Sequence, residues 1–163
     1  MILIFITVGT QKFQFDRLLK EVDELCAKGI IKEEVVAQVG YSTYIPTNFQ
    51  AHKLLKPEQM ETYINKASLL ITHGGTSSIF NALKKQKKVI VVPRLSEFHE
   101  HVDNHQIEIC DVLDKKGYVS VVWDMKKLGT AISSIHYQTF NTYSFSENEL
   151  VEDIKGFIGN SNA

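Results

Sequence analysis

Short continuous apolar runs alternate along this chain with longer stretches whose apolar residues recur every three or four positions. Ile2–Val8 is a β-branched and aromatic run, the pattern of a strand covered on both faces. From Phe13 to Lys28 the apolar residues Phe15, Leu18, Leu19, Val22 and Leu25 fall at helical spacing, and Gly29 ends the helix. Val35–Val39 predicts a second strand, followed by the loop Gly40-Tyr41-Ser42-Thr43, and a short third strand is expected near Ala51–Leu55. Pro57 suits the first turn of a helix running to about Lys66. Ala67–Thr72 reads as a strand, His73-Gly74-Gly75-Thr76 as a tight turn, and Ser77–Lys85 as the next helix. Val89–Val92 is another buried strand, ended by Pro93. A helix over Glu100–Lys116 is closed by Gly117, and Tyr118–Val122 is a further strand. Beyond Trp123 the pattern weakens, until Ser146-Glu147-Asn148-Glu149 matches a capping box opening a last helix, Leu150–Ile158.

This alternation predicts one α/β domain over residues 1–163, a doubly wound parallel sheet with helices on both faces. Composition agrees. The 163 residues are 44% hydrophobic and 23% charged, with a net charge of −1, which disfavours disorder and a nonspecific grip on nucleic acid. The apolar runs are too short to cross a bilayer, and the N-terminus lacks the basic region of a signal peptide. A cytoplasmic protein is expected, any membrane attachment coming through a partner or a surface patch. Cys26 and Cys110 lie far apart in amphipathic stretches and read as reduced, buried thiols.

In open parallel sheets ligands bind beyond the carboxyl ends of the strands, so the loops there are the candidates for chemistry. In Thr7-Val8-Gly9-Thr10-Gln11-Lys12-Phe13, Gly9 permits a sharp turn and the amides near Thr10 face a possible anion, although the loop is neither GxGxxG nor GxxxxGK[ST]. In His73-Gly74-Gly75-Thr76-Ser77-Ser78, two glycines let a ligand approach the backbone, and three hydroxyls can cap the helix or bind phosphate. An ordinary Gly-Gly turn with hydroxyl caps is the alternative. The segment Pro93–Gln106 gathers His99, His101 and His105 with other polar groups. His101 and His105 stand i,i+4 on the expected helix, but the glutamate position of an HExxH zinc motif holds Val102. A neutral hydrogen-bonding rim for a polyhydroxylated ligand is the better reading, with Asp103 and Gln106 as candidate sugar-hydroxyl partners. Lys84-Lys85-Gln86-Lys87-Lys88 reads as the solvated end of a helix, with an anionic-membrane patch as the minority alternative.

Together and in this order, several segments resemble one family. They are Ile6-Thr7-Val8-Gly9-Thr10 with Phe15-Asp16-Arg17-Leu18, then Gln38-Val39-Gly40-Tyr41-Ser42, Ile71 through Ile79, Val91-Val92-Pro93-Arg94, and His101-Val102-Asp103-Asn104-His105-Gln106. Over roughly residues 1–122 the chain resembles the C-terminal, sugar-nucleotide-binding half of GT-B glycosyltransferases of family 28. Residues 123–163 are expected to form a helical C-terminal part outside that resemblance. Within the family it is similar to the stand-alone members: the donor-binding subunit of the two-part enzyme that adds the second GlcNAc in N-glycan synthesis, and the small bacterial capsule and exopolysaccharide transferases.

The resemblance implies a Rossmann-like half of a GT-B fold and a UDP-sugar site. The diphosphate is expected at Gly74, Gly75, Thr76, Ser77 and Ser78, with Gly9, Thr10 and His73 beside it. The uracil is expected near Leu55-Lys56-Pro57 and Met60, and the sugar near Asp103, Asn104, His105 and Gln106. Asn81 occupies the position where the family commonly has a ribose-binding glutamate. No metal or cofactor is expected. The acceptor half and the general base are expected on a membrane-anchored partner presenting a lipid-diphosphate-linked sugar, met around Thr10–Phe13 and Phe98–His101. Recruitment to the inner face of the cell membrane follows from that partner. The favoured activity is β-1,4 transfer of galactose from UDP-galactose in capsule or exopolysaccharide synthesis, with UDP-GlcNAc and UDP-glucuronate as alternative donors. A non-catalytic companion that enhances a membrane transferase is the alternative function.

Overall fold

The computed structural model describes residues 2–144, so the predicted helix Leu150–Ile158 and its capping box lie outside the described residues. Six parallel strands form one sheet in the order β3-β2-β1-β4-β5-β6, where β1 is Leu3–Thr7, β2 Glu34–Gln38, β3 Gln50–His52, β4 Leu69–Thr72, β5 Lys88–Val91 and β6 Ser120–Val121. The chain starts in the middle, winds outward through β2 and β3, then returns to β4 and winds the other way. Crossovers of one hand are what right-twisted strands feeding right-handed helices allow.

Alternation along each strand divides the core into two layers. On β1, Ile4 and Ile6 face one side and Leu3 and Phe5 the other. Beneath the first side lie α1 (Asp16–Ala27), through Leu18, Leu19 and Val22, and α5 (Leu128–Ser134), through Leu128 and Ile132. Against the second lie α2 (Pro57–Lys66), α3 (Thr76–Lys84) and α4 (His105–Lys115), through Ile64, Ile79, Leu83 and Leu113. The fold is therefore the doubly wound α/β sheet that the apolar pattern predicts. Both cysteines are free, and burial pushes their thiols up, to about 11 at Cys26 and about 12 at Cys110.

Two helices start later than their spacing predicts. Helix α1 begins at Asp16 rather than Phe13, because the carbonyls of Phe13 and Gln14 accept from Arg94 and the Phe15 amide donates to Ser42 Oγ at 2.9 Å. Helix α4 begins at His105 rather than Glu100. Glu100 is fully buried in an ion pair with Arg17 at 2.9 Å, and the Asp103 carboxylate accepts the His105 amide at 3.0 Å. Local side-chain acceptors of this kind stop helices where apolar spacing alone would continue them. The short α5 falls within the helical part expected over residues 123–163, although no helix boundaries are predicted there before Leu150, and β3 and β6 are shorter than expected.

The lysine run is a set of clamps. Lys85 pairs with Glu61 and donates to Asn65 at 3.1 Å, and Lys87 donates to the Asn65 carbonyl at 2.8 Å. Lys88 donates to the carbonyls of Ile135, His136 and Gln138 at 3.1–3.2 Å, closing the end of the α5 segment. Cations suit carbonyl-rich helix ends.

Phe5 is fully buried within the sheet and stacks on Tyr63 with ring centroids 5.4 Å apart. Phe5→Ala is expected to lower the unfolding free energy by about 3–5 kcal/mol, measured by urea denaturation.

Candidate functional site

All the candidate loops meet at the carboxyl edge of the sheet, and a buried arginine joins two of them. Arg94 follows β5 and is 1% exposed. Its guanidinium donates to the carbonyls of Val8, Phe13, Gln14 and Glu100, and its face lies 5.0 Å from the Phe15 ring centroid. Burial pushes its pKa down to about 10 and the Glu100 carboxylate opposes that shift, so it stays charged at neutral pH. Glu100 in turn accepts from Arg17 Nε and Nη2 at 3.0 and 2.9 Å and from the Leu95 amide at 2.9 Å. The loop after β1 and the loop after β5 are thus one unit. Sequence reasoning did not assign this role. The available signal was a charged residue placed directly after a buried strand run.

Beside this clamp stands the glycine turn. His73 directly follows β4, its ring wedged between Gly9 and Gly75. A Cβ on Gly9, which has φ +79°, would sit 2.6 Å from His73 Nε2, and one on Gly75 would sit 2.2 Å from Cε1. A Cβ on Gly74 would meet Gln106 Cβ at 2.7 Å. His73 and Gln106 thus leave no room for a side chain at Gly75 and Gly74, a packing reason for both glycines beside the ligand approach expected from the sequence.

Gln106 is buried, and its Oε1 accepts the amides of Gly74 and Arg94, each at 3.1 Å. That fixes its Nε2 toward His73 Nδ1 at 3.3 Å as a donor, leaving the imidazole proton on Nε2, the nitrogen facing Gly9 and Gly75. Burial, reinforced by Arg94 and His101, pushes the His73 pKa down to about 3. His73 is thus a neutral hydrogen-bond donor at the edge of the turn.

Helix α3 opens from Gly75 with no side-chain cap and no acidic residue in its first turn. Thr76 and Ser78 are half-buried and Ser77 is exposed, and none of their hydroxyls caps the helix. The first-turn amides and the positive end of the helix dipole face the carboxyl edge, an arrangement suited to an anion.

The remaining candidates lie around this turn, with different partners from those expected. Thr10 is exposed in the first loop. Met60 on α2 and Leu55 just before it are partly buried against the second apolar layer, and the Leu55 amide is tied to Gln38 Oε1 at 2.8 Å. Asn81 Nδ2 donates to Glu61 on α2 at 3.2 Å. Asn104 Oδ1 accepts from the Ser96 amide and hydroxyl at 3.0 and 3.1 Å, closing the loop onto itself. His101 precedes α4, so it is not i,i+4 to His105 on one helix; the two imidazoles instead flank Asp103 at 3.3 and 3.7 Å. The backbone donation from His105 holds the Asp103 carboxyl below its usual range, aided by both histidines and opposed by burial. Among the described residues no group of three or more His, Cys, Asp or Glu side chains is arranged to hold a metal. The segments Thr10–Phe13 and Phe98–His101 are neighbours, with Phe13 and His101 rings 5.3 Å apart and Gln14 Nε2 donating to the Phe98 carbonyl at 2.9 Å.

The family model for the glycosyltransferase family 28 C-terminal domain matches residues 3–155. The chain belongs to this family. It is 29% identical over 125 residues to the human UDP-N-acetylglucosamine transferase subunit ALG13, covering 71% of this chain and 10% of that protein. A 66-residue stretch is 36% identical to the ALG13 subunit of Yarrowia lipolytica (strain CLIB 122 / E 150), covering 40% of this chain and 32% of that one. The chain therefore spans only a minor part of the length of these relatives. Among solved structures, the NMR solution structure of ALG13 superposes with a TM-score of 0.62 at 19% identity, covering 94% of both chains. CalG4, the calicheamicin glycosyltransferase, gives 0.59 at 16% identity, over 98% of this chain and 38% of that one. MurG of Acinetobacter baumannii gives 0.57 at 16% identity, over 98% and 50%. At these identities the superpositions establish the fold: this family 28 domain has the architecture found in part of larger GT-B glycosyltransferases.

The buried neutral His73 makes a pH dependence calculable. Its folded pKa lies below the unfolded value of 6.5, so between pH 6.5 and about 3 the unfolded chain binds the extra proton. Its contribution is therefore full above pH 6.5 and is lost as pH falls, by up to about 1.4 kcal/mol per pH unit. Urea midpoints measured from pH 7.5 to 5 should show this slope and lose part of it in His73→Gln, and the His73 ring resonances should not titrate over that range.

Proposed function

We propose that this chain is the donor-binding subunit of an inverting, metal-independent glycosyltransferase. It binds a UDP-sugar and presents it for transfer of a hexose to a lipid-diphosphate-linked acceptor. One observation carries the reading: the uncapped first turn of α3, Gly75–Ser78, is free of acidic residues and sits against the neutral donor His73 at the carboxyl edge of the sheet. In this assignment the diphosphate lies over the amides of Gly75, Thr76, Ser77 and Ser78, with Gly9, Thr10, Gly74 and His73 Nε2 around it. Leu55 and Met60 border the uracil, Asn81 reaches the ribose, and Asp103, Asn104 and His105 lie toward the sugar. Gln106 acts beneath them, holding His73 and both loops.

During transfer the bond from the sugar carbon to the diphosphate breaks and negative charge grows on the leaving oxygen. Fixed amides and a helix dipole stabilise such charge without reorganising. The acceptor hydroxyl must approach from the opposite side to about 3–3.5 Å. The sheet edge described here supplies one wall of that cleft. We place the acceptor site and the general base on a membrane-anchored partner that faces Thr10–Phe13 and Phe98–His101 and recruits the chain to the inner face of the membrane. The word "subunit" in the names of the human and Yarrowia relatives supports the two-part reading. Those names also weigh toward UDP-N-acetylglucosamine as donor, against the galactose expected from likeness to the capsule and exopolysaccharide transferases.

Ser77→Asp tests the diphosphate site without disturbing the fold, because a carboxylate at a helix N-terminus favours the helix while it repels an anion. Calorimetry with UDP is expected to show affinity reduced about tenfold or more, with no loss of thermal stability. Parent protein that binds no UDP would leave the non-catalytic companion as the better reading.

The purified chain alone is expected to transfer no sugar. Co-expressed with its membrane partner and given a lipid-linked acceptor, it should transfer from one of UDP-galactose, UDP-N-acetylglucosamine and UDP-glucuronate, equally well with EDTA present. Transfer by the isolated chain would overturn the two-part mechanism.

A further inference from the structure

The loop between β2 and β3 carries an exposed apolar tip on an unusually firm base. Ile45 is 81% exposed, Leu54 just past β3 is 51% exposed, and Tyr41 is 41% exposed. Tyr41, Ile45, Pro46 and Lys53 line one shallow groove of about 310 Å³. Single exposed apolar residues are ordinary, but a cluster on one loop marks a contact surface.

The base is held from below by helix α1. Asp16 accepts from the Thr43 amide and hydroxyl at 2.8 and 2.5 Å and from the Tyr44 amide at 3.0 Å. Asp23, itself buried, accepts from the Tyr44 hydroxyl at 2.6 Å, the Thr47 amide at 3.1 Å and the Asn48 amide at 2.8 Å. Burial raises both carboxyls, but these hydrogen bonds outweigh it and hold them below the usual range. Both carboxylates therefore face the loop, and the tip stays fixed in the orientation that exposes Ile45.

Charge then distinguishes the occupant. No acidic residue occurs between Glu34 and Glu58, while Lys53 and Lys56 lie in that interval. The Lys53 ammonium stands 5.6 Å from the Tyr41 ring centroid. Lysine is depleted from the centres of protein–protein contacts. An aliphatic tip collared by tyrosine and lysine suits the boundary of an anionic bilayer, where aromatic rings sit at headgroup level and lysines meet acidic lipids.

We propose that the tip formed by Tyr41, Ile45 and Pro46, with Lys53 beside it, inserts into the headgroup region of anionic membranes. The loop is rooted next to the candidate site, since a Cβ on Gly40 would lie 2.8 Å from the Gly9 carbonyl oxygen. Insertion would therefore hold the carboxyl edge of the sheet close to the lipid surface, independently of any protein partner.

The test is co-sedimentation of the full chain with vesicles of phosphatidylcholine containing about one-third phosphatidylglycerol, compared with phosphatidylcholine alone. The parent is expected to sediment with the anionic vesicles only. Ile45→Ser should weaken binding about tenfold, and Lys53→Glu about fivefold or more. Tyr137→Ser, at a 90% exposed position outside this loop, should leave binding unchanged. In a Trp123→Phe background, Ile45→Trp should shift its emission to the blue on anionic vesicles. UDP titration of Ile45→Ser should match the parent, which separates this proposal from the donor site. A parent that does not sediment, or Ile45→Ser and Lys53→Glu that sediment like the parent, overturns the proposal. So does loss of binding to a protein partner by Ile45→Ser with vesicle binding intact, which would make the tip a protein interface.

Discussion

The candidate site depends on a buried guanidinium. Arg94 lies where three backbone carbonyls of the first loop and one of the loop after β5 would otherwise point at one another without donors. A charge in that position is costly to desolvate, and its Nε has no partner among the described residues. Four carbonyls, the Phe15 face and the nearby Glu100 carboxylate offset that cost. Removing one side of such a network leaves buried polar groups unpaired, typically a loss of about 3–5 kcal/mol, whereas forming it stabilises modestly. The arrangement is better understood as fixing geometry than as adding stability. From Arg94 the constraint passes to Gly9, from Gly9 to the His73 ring packed against it, and from His73 to Gly75 and the start of α3.

The electrostatics of the edge follow from the same packing. His73 is pushed so far toward neutrality by burial and by Arg94 that it offers a hydrogen bond without a charge. Four carboxylates of this region are engaged by protein donors: Glu100 by Arg17, Asp103 by the His105 amide, Asp16 and Asp23 by the β2–β3 loop. The first turn of α3 is thus left with its amides and its dipole, and with no carboxylate of its own to compete with an anion. Partial charges held rigidly in a partly dry site act more strongly than the same groups in water.

The sheet and its two apolar layers were legible in the sequence because burial imposes period two on strands and about 3.6 on helices, and Leu3/Phe5 against Ile4/Ile6 shows the first of these directly. Gly74-Gly75 was legible as a special turn, but not the reason for it. The neighbours that exclude a Cβ, His73 and Gln106, are brought there by tertiary packing. The starts of α1 and α4 were misplaced for the same cause. Phe13, Gln14 and Glu100 satisfy a helical pattern, yet Arg94 claims the carbonyls of the first two from the loop after β5, and Arg17 holds the Glu100 carboxylate. The lysine run looked like a solvated helix end, and only the positions of Asn65 and the 135–138 carbonyls reveal it as a clamp.

The same reasoning explains why the apolar tip of the β2–β3 loop stands apart from the fold. An eleven-residue connection that could bury Ile45 by collapsing onto the sheet would gain free energy by doing so, since an isoleucine side chain is worth about 1.5–3 kcal/mol on burial. Asp16 and Asp23 prevent that collapse by capturing the loop amides from the α1 side, and Gly40, with φ +56°, turns the chain away over the Gly9 carbonyl. Two helix carboxylates are thereby engaged in holding an apolar side chain in water. An apolar surface brought against Ile45 from outside the domain would recover the burial that the held loop forgoes.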